Sequence, residues 1–219
     1  MLRIAHFADA HIRSLSRHLE YKEIFLDFSR QCREQGVHHI FIGGDTFHTK
    51  CAGMSPECIE FMCWWFGELA SVAEVHVTLG NHDGNLVNLS RQDAISPIIR
   101  ALNNPRIHIY KESGTYEFAP GYCWGVFSLF DEENWDKVKP IPGKVNIACF
   151  HGPVWGATTE SDWLVEEGIT VEFFRGWDFG FLGDIHKFQF LAGRDVELEI
   201  DESELKDYPD AEVICEIDT

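Results

Sequence analysis

Val75-His76-Val77-Thr78-Leu79-Gly80-Asn81-His82-Asp83 sets the reading of the whole chain. An apolar run that breaks into Gly-Asn-His-Asp ends a strand on a tight loop. It puts an amide oxygen, an imidazole and a carboxylate at the strand's C-terminal edge, where open α/β sheets hold their ligands. Asp45, in Gly43-Gly44-Asp45-Thr46-Phe47-His48, lies 36 residues upstream of Asn81, and Asp9, in Asp9-Ala10-His11, lies 36 residues before that. Each follows its own apolar run. The step is the length of a strand, helix, strand unit, so three neighbouring strand ends are predicted to deliver polar side chains to one place.

The segments between these loops support that layout. Leu2 to Phe7 and Val37 to Ile42 read as strands, and Tyr21, Phe25, Phe28 and Cys32 recur at helical spacing in a segment from His18 to Gln35, closed by Gly36. Ser55-Pro56 has the capping hydroxyl and first-turn proline of a second helix, with Ile59, Met62, Cys63, Phe66 and Leu69 as its predicted buried face. Ile95, Ile98, Ile99 and Leu102 mark a third. After Asn103-Asn104-Pro105 the pattern changes to short alternating runs at 106–110, 114–118 and 122–127, which predict a second, more antiparallel sheet. A short helix is expected over Asp131 to Val138. Val145 to Phe150 is read as a buried strand ending at His151, and Trp177 to Leu182 as another ending at Gly183-Asp184-Ile185-His186. Val196 to Ile200 and Glu212 to Ile217 alternate as edge strands would. The fold class is α/β: one domain of two packed sheets flanked by helices.

Composition narrows the function classes. With 219 residues, 45% of them hydrophobic, the chain can bury one sizeable core. No charged-then-apolar leader and no apolar run of membrane-spanning length is present, so a cytoplasmic protein without a membrane partner is expected. Seven cysteines without a Cys-x-x-Cys pair suit neither a disulfide framework nor a zinc ribbon, and Cys51 and Cys58 lack a matching pair. The net charge of −18 opposes tight nucleic-acid binding by the protein surface alone. It is unevenly placed, with 11 of the 36 acids in residues 195–219. A site whose metal ions supply the positive charge remains compatible with it.

Five strand ends thus carry Asp9/His11, Asp45/His48, Asn81/His82/Asp83, His151 and Asp184/His186. Carboxylates, imidazoles and an amide oxygen without thiolate suit Mn²⁺, Fe²⁺ or Zn²⁺. One ion needs three or four of these donors. The surplus points to two ions sharing a carboxylate, the arrangement that clamps the attacking and leaving oxygens of a phosphoester. His38 and His39, read as preceding a strand, and His76 and His108 within strands are expected to be surface or satisfied histidines, and His6 close to Asp9 to be structural. Trp155 and Trp163 could stack on bases, but packing is the expected use.

Asp-x-His, Gly-Asp-x-x-His, Gly-Asn-His-Asp, His-Gly and Gly-x-x-His, in that order and each after a strand, resemble the calcineurin-like metallophosphoesterase superfamily. Within it, Gly43-Gly44-Asp45-Thr46-Phe47-His48 and His151-Gly152-Pro153-Val154-Trp155-Gly156 are most similar to the nuclease subunit of SbcCD-type DNA repair complexes, phage counterparts included. The resemblance covers residues 1 to about 190 and implies an α/β/β/α sandwich. It assigns Asp9, His11, Asp45 and His186 to one divalent ion and Asp45, Asn81, His151 and Asp184 to the other, with Asp45 bridging and Mn²⁺ first in order of expectation. It further implies that His82 acts on the departing oxygen, that Asp83 orients His82 and that His48 positions the DNA phosphate. One position departs from the pattern: the last motif is usually Gly-His-x-His, and here it is Gly183-Asp184-Ile185-His186.

The implied activity is a DNA nuclease. Its expected partners are DNA, an SbcC-type coiled-coil ATPase and a second copy of the chain. Residues 1–219 are expected to form a single nuclease-like domain without a capping or ATPase-docking domain. Two readings compete with it. A phosphatase or small-molecule phosphodiesterase suits the acidic balance, and a catalytically silent scaffold is opposed by the intact Asn81-His82-Asp83 and His151.

Overall fold

The structure is a computed structural model that describes residues 2–48, 54–187 and 189. The first half alternates strand and helix: β1 (Ile4–Phe7), α1 (His18–Gln35), β2 (His39–Ile42), α2 (Pro56–Val72), β3 (Glu74–Thr78), α3 (Ser96–Leu102) and β4 (Ile107–Tyr110). These strands form an all-parallel sheet in the order β1-β2-β3-β4. β5 (Gly114–Ala119), β6 (Tyr122–Phe127), β7 (Val145–His151) and β8 (Phe179–Gly183) form the second sheet in sequence order.

Local chemistry sets the helix ends. Gly36, at φ 63°, closes α1 by turning its N–H back to the carbonyls of Arg33 and Cys32. The Ser55 hydroxyl accepts the Cys58 N–H at 3.1 Å, and Ser55 itself is tied to Ser14, so the start of α2 is fixed to the loop after β1. The buried face of α2 is Cys58, Phe61, Met62, Trp65, Phe66 and Leu69. Ile59, predicted on that face, is 41% exposed. The sequence of α2 is apolar on more than one stripe, and the face carrying Trp65 wins because that ring stacks on Phe25 of α1 at 4.3 Å.

Two predicted features are corrected. Residues 107–110 belong to the first sheet, parallel to β3, because α3 is a short crossover of about two turns that continues the βαβ series. The second sheet is mixed: β5/β6 is an antiparallel hairpin, but β6/β7 and β7/β8 are parallel. The long connections that parallel return requires are present at residues 128–144 and 152–178. They contain 3₁₀ turns: Glu132–Lys137, where a short helix is expected from the sequence, and Val171–Phe174, which no helical periodicity marks. The predicted strands at 196–200 and 212–217 lie outside the described residues.

Alternation along the strands divides the core. Ala5, Phe7, Ile40, Ile42, Val75, Val77 and Ile107 pack under the three α-helices. Phe41 meets Trp124, Val126, Ile147 and Cys149 between the sheets. Phe127, Ala148 and Phe150 face outward beneath Trp135, Phe173, Phe174 and Trp177 of the 3₁₀ layer. Of the histidines expected to be surface or structural, His6, His39 and His76 lie between the sheets, and His38 is exposed. His39, which begins β2 rather than preceding it, is buried with its Nδ1 2.9 Å from His76 Nε2, and His76 Nδ1 is 2.9 Å from the Tyr110 hydroxyl. His6 stacks on Phe181 at 4.6 Å. Burial pushes His76 down to about 3 and His6 to about 4, so both are neutral rings. No helix among the described residues is long and apolar enough to cross a membrane.

Candidate metal centre

β1, β2 and β3 of one sheet and β7 and β8 of the other end at a common edge, and all five predicted loops converge there. The loops after β1 and β2 continue to pair beyond their strands: the N–H groups of Asp9, His11 and Ile12 donate to the carbonyls of Gly44, Asp45 and Thr46 at 2.8–3.0 Å. The second sheet is tied in by the Asp184 N–H, which donates to both oxygens of Asp9 at 3.1 and 2.9 Å.

This close approach explains the motif glycines. A Cβ on Gly80 would lie 2.2 Å from Asp45 Oδ1, and one on Gly183 would lie 2.5 Å from both the Gly43 carbonyl and His151 Nδ1. The loops are also strained. Seven non-glycine residues among those described have a left-handed φ, and four of them are Asp9, His11, Asp45 and Asp184. Each such residue costs on the order of 1 kcal/mol or more, and such strain collects at functional sites.

The side chains form three overlapping donor sets whose members each offer an atom within 4.8 Å of the others: Asp9/His11/His186, His11/Asp45/His82 and Asp9/Asp45/His151. Asp45 is shared. Its Oδ2 is 3.8 Å from His11 Nε2 and its Oδ1 is 3.4 Å from His151 Nε2. His186 Nε2 is 3.7 Å from Asp9 Oδ1 and 3.4 Å from His11 Nε2. Asp184 Oδ1 lies 4.0 Å from His151 Nε2, the same distance as Asp9 Oδ1.

The carboxylates Asp9, Asp45 and Asp184 and the imidazoles that face them perturb one another. Burial pulls the His151 imidazole down, but hydrogen bonding to Asp45 and the charges of Asp45 and Asp9 outweigh it and lift the group to about 9. Burial raises the Asp45 carboxyl, and the facing His151 and His82 bring it below its ordinary range. Asp184 is raised by burial and by Asp9 and Asp45, against the opposing pull of His151.

The residues fit a pair of divalent ions. Asn81 Oδ1 is buried without a hydrogen-bond partner among the described residues, although it stands at the edge where the acids gather, and the buried His151 Nε2 faces Asp45 Oδ1 at 3.4 Å. His151 Nδ1 donates to the Gly43 carbonyl at 2.8 Å, which leaves Nε2 as the inward nitrogen, able to ligate an ion that displaces its proton. The donors are oxygen and imidazole nitrogen only, as Mn²⁺, Fe²⁺ and Zn²⁺ accept.

A match to the family model of calcineurin-like phosphoesterases runs over residues 2–188, through all five loops. The chain belongs to this family. Calcineurin-like phosphoesterases are metal-dependent and use paired divalent ions, which accounts for donors in excess of one ion's needs. Uncharacterized protein R555 of Acanthamoeba polyphaga mimivirus is 38% identical over 203 residues, covering 86% of this chain. The chain spans 15% of that relative's length. Among solved structures, the nuclease MPE of Pseudomonas putida aligns with a TM-score of 0.42 and 18% identity, over 74% of this chain and 66% of that one.

Asp83, His82 and Trp163 have surroundings other than those expected. The Asp83 carboxylate is fully buried and accepts the N–H groups of Gly80 at 2.9 Å and Phe47 at 3.1 Å, and burial lifts it to about 7. His82 Nδ1 instead faces the main-chain carbonyl of His48, a partner with no signature in sequence. Trp163, expected to pack, is 75% exposed, on the loop that follows His151. The His48 ring is exposed and edge-on to His11 at 5.9 Å.

Proposed function

We propose that this chain is a phosphodiester hydrolase with two divalent ions, Mn²⁺ foremost, and that its substrate is DNA. The observation that carries the reading is the pairing of a bridging-type carboxylate, Asp45, with an imidazole, His82, whose outer nitrogen is anchored on a main-chain carbonyl.

Two ions held by Asp9, His11, Asp45 and His186 and by Asp45, Asn81, His151 and Asp184 would supply Lewis acidity and positive charge for in-line displacement at phosphorus. The chain itself does the rest. The His48 carbonyl fixes the Nδ1 proton of His82, so Nε2, 3.9 Å from Asp45 Oδ2, is the atom that can carry a proton to a departing alkoxide. The Asp45 carboxylate accepts the main-chain N–H of His82 at 2.8 Å and so couples that acid's position to the ligand set.

DNA as substrate is supported by the similarity of the Gly43–His48 and His151–Gly156 segments to SbcD-type nucleases and by exposed Trp163 on the loop that follows His151. The same reading takes the chain as a cytoplasmic nuclease domain of a DNA repair complex, alongside a coiled-coil ATPase and a second copy of itself. A small-molecule phosphodiesterase is the second reading, favoured by the net charge of −18. Hydrolysis of double-stranded DNA, single-stranded DNA, bis(p-nitrophenyl) phosphate and p-nitrophenyl phosphate with Mn²⁺ separates them. Cleavage of either DNA carries the proposal. Turnover of the nitrophenyl esters alone favours the second reading, and no turnover of any substrate leaves the scaffold.

A further inference from the structure

We propose that Glu160 is a positioning residue for His186: its carboxylate accepts the Nδ1 proton and so presents Nε2 to the centre. The inference rests on the metal-centre reading above. His186 Nδ1 lies 3.5 Å from Glu160 Oε1, while Nε2 points to Asp9 and His11. Two other imidazoles of the centre are held in the same sense by main-chain carbonyls, His151 by Gly43 and His82 by His48. His186 stands on the last loop, is 39% exposed and depends on a side chain for the same service.

Glu160 is delivered by a tight hairpin. Thr158 and Leu164 form an antiparallel bridge, the Thr159 N–H donates to the Trp163 carbonyl at 2.9 Å, and Asp162 makes the turn at φ 62°. Its base is closed by the Val165 N–H on the Ala157 carbonyl at 2.7 Å. The hairpin is then joined to the segment carrying His186 at two further points. Lys187 pairs with Asp162, and the Gln189 side chain both accepts from the Thr158 N–H at 2.7 Å and donates to its carbonyl at 2.9 Å. Glu160 is the carboxylate that this framework sets against the imidazole. It is 68% exposed, so its removal leaves no hole in the core.

A hydrogen-bonded partner on the outer nitrogen of a ligating imidazole fixes its tautomer and typically adds ~10–100-fold to metal affinity. Glu160→Ala and Glu160→Gln test this in the full chain. Nitrogen NMR of the metal-free protein, at a pH alkaline enough for the His186 ring to be neutral, should give His186 as the Nδ1–H tautomer in the wild type and in Glu160→Gln, whose amide oxygen accepts the same proton. Glu160→Ala should give a tautomer mixture. Calorimetric titration with Mn²⁺ should show roughly tenfold or greater loss of affinity at one site in Glu160→Ala and substantial recovery in Glu160→Gln. Unchanged tautomer and affinity in Glu160→Ala would overturn the assignment, as would equal losses in both variants. A wild type that binds no Mn²⁺ would instead overturn the metal-centre reading, and the tautomer would still decide Glu160.

Discussion

His82 Nδ1 donates to the main-chain carbonyl of His48 across 2.7 Å, and the loop after β2 thereby aims an imidazole that belongs to the loop after β3. Because the acceptor is backbone, the orientation survives loss of either neighbouring side chain, His48 or Asp83, provided the loops hold. The geometry separates the roles of His82 and Asp45. His82→Ala is expected to keep the fold and a stoichiometry near two Mn²⁺, while hydrolysis falls ~10²–10⁴-fold, the usual worth of general acid catalysis. Asp45→Ala should lose metal. Calorimetry beside steady-state rates checks both, and loss of an ion in His82→Ala would make His82 a ligand through its donor set with His11 and Asp45.

Asp83 is predicted to act on stability. Its two oxygens join the Gly80 and Phe47 N–H groups, one from each of the loops that hold Asn81 and Asp45. An amide can accept from only one of those donors and turns an N–H toward the other. Asp83→Asn should therefore destabilise by about 2 kcal/mol, measured by urea unfolding, since a buried donor loses its acceptor. A variant as stable as the wild type but inactive would return Asp83 to a role in the chemistry.

The five site loops were legible because strand ends and donor residues coincide in the sequence. Asp9, Asp45 and Asn81 sit at equal steps after apolar runs, and His151 and Asp184 follow two more. The structure brings all five loops to one edge, including the two from the second sheet. What stayed hidden has physical causes. Parallel β6/β7/β8 pairing depends on long, mostly irregular connections whose return direction no periodicity marks, and Ile59 lost its place to the stacking of Trp65 on Phe25. The partner of His82 is a carbonyl, which every residue possesses. Glu160 lies in an acidic loop nine residues after His151, where no spacing rule marks it.

A pH-dependent contribution is expected away from the centre, at Asp93. This buried carboxylate accepts the Ile95 and Ser96 N–H groups at the start of α3 and pairs with Lys111 at 2.6 Å. Burial alone would raise it, but Lys111 and Ser96 bring it below its ordinary value. A depressed folded-state value stabilises above the ordinary carboxylate range, and the stabilisation fades as pH falls through the depressed value. Asp93→Asn should cost about 2 kcal/mol near neutrality. The gap from wild type should shrink below about pH 4. Unfolding curves for both proteins across that range check the sign, and a gap that widens in acid would contradict it.

Asp184 is the position at which this chain leaves the usual Gly-His-x-His pattern, and its backbone bears on how it must be tested. At φ 76° it occupies a left-handed conformation that Asp, Asn and His tolerate better than Ala. Asp184→Ala therefore adds backbone strain of about 1 kcal/mol to the loss of a donor. Asp184→Asn keeps the backbone preference and removes the charge. If the carboxylate holds the second ion, both substitutions should weaken one Mn²⁺ site and spare the other, with Asn the milder. Asp184→His should restore two-ion binding and shift the preference between Mn²⁺ and Zn²⁺, because imidazole donates without adding negative charge beside Asp9 and Asp45. Calorimetry with each metal gives the affinities, and a metal-loaded crystal structure gives the contact. An Asp184 oxygen at about 2.0–2.2 Å from an ion supports ligation, and one beyond about 3 Å with unchanged affinity in Asp184→Asn would remove it.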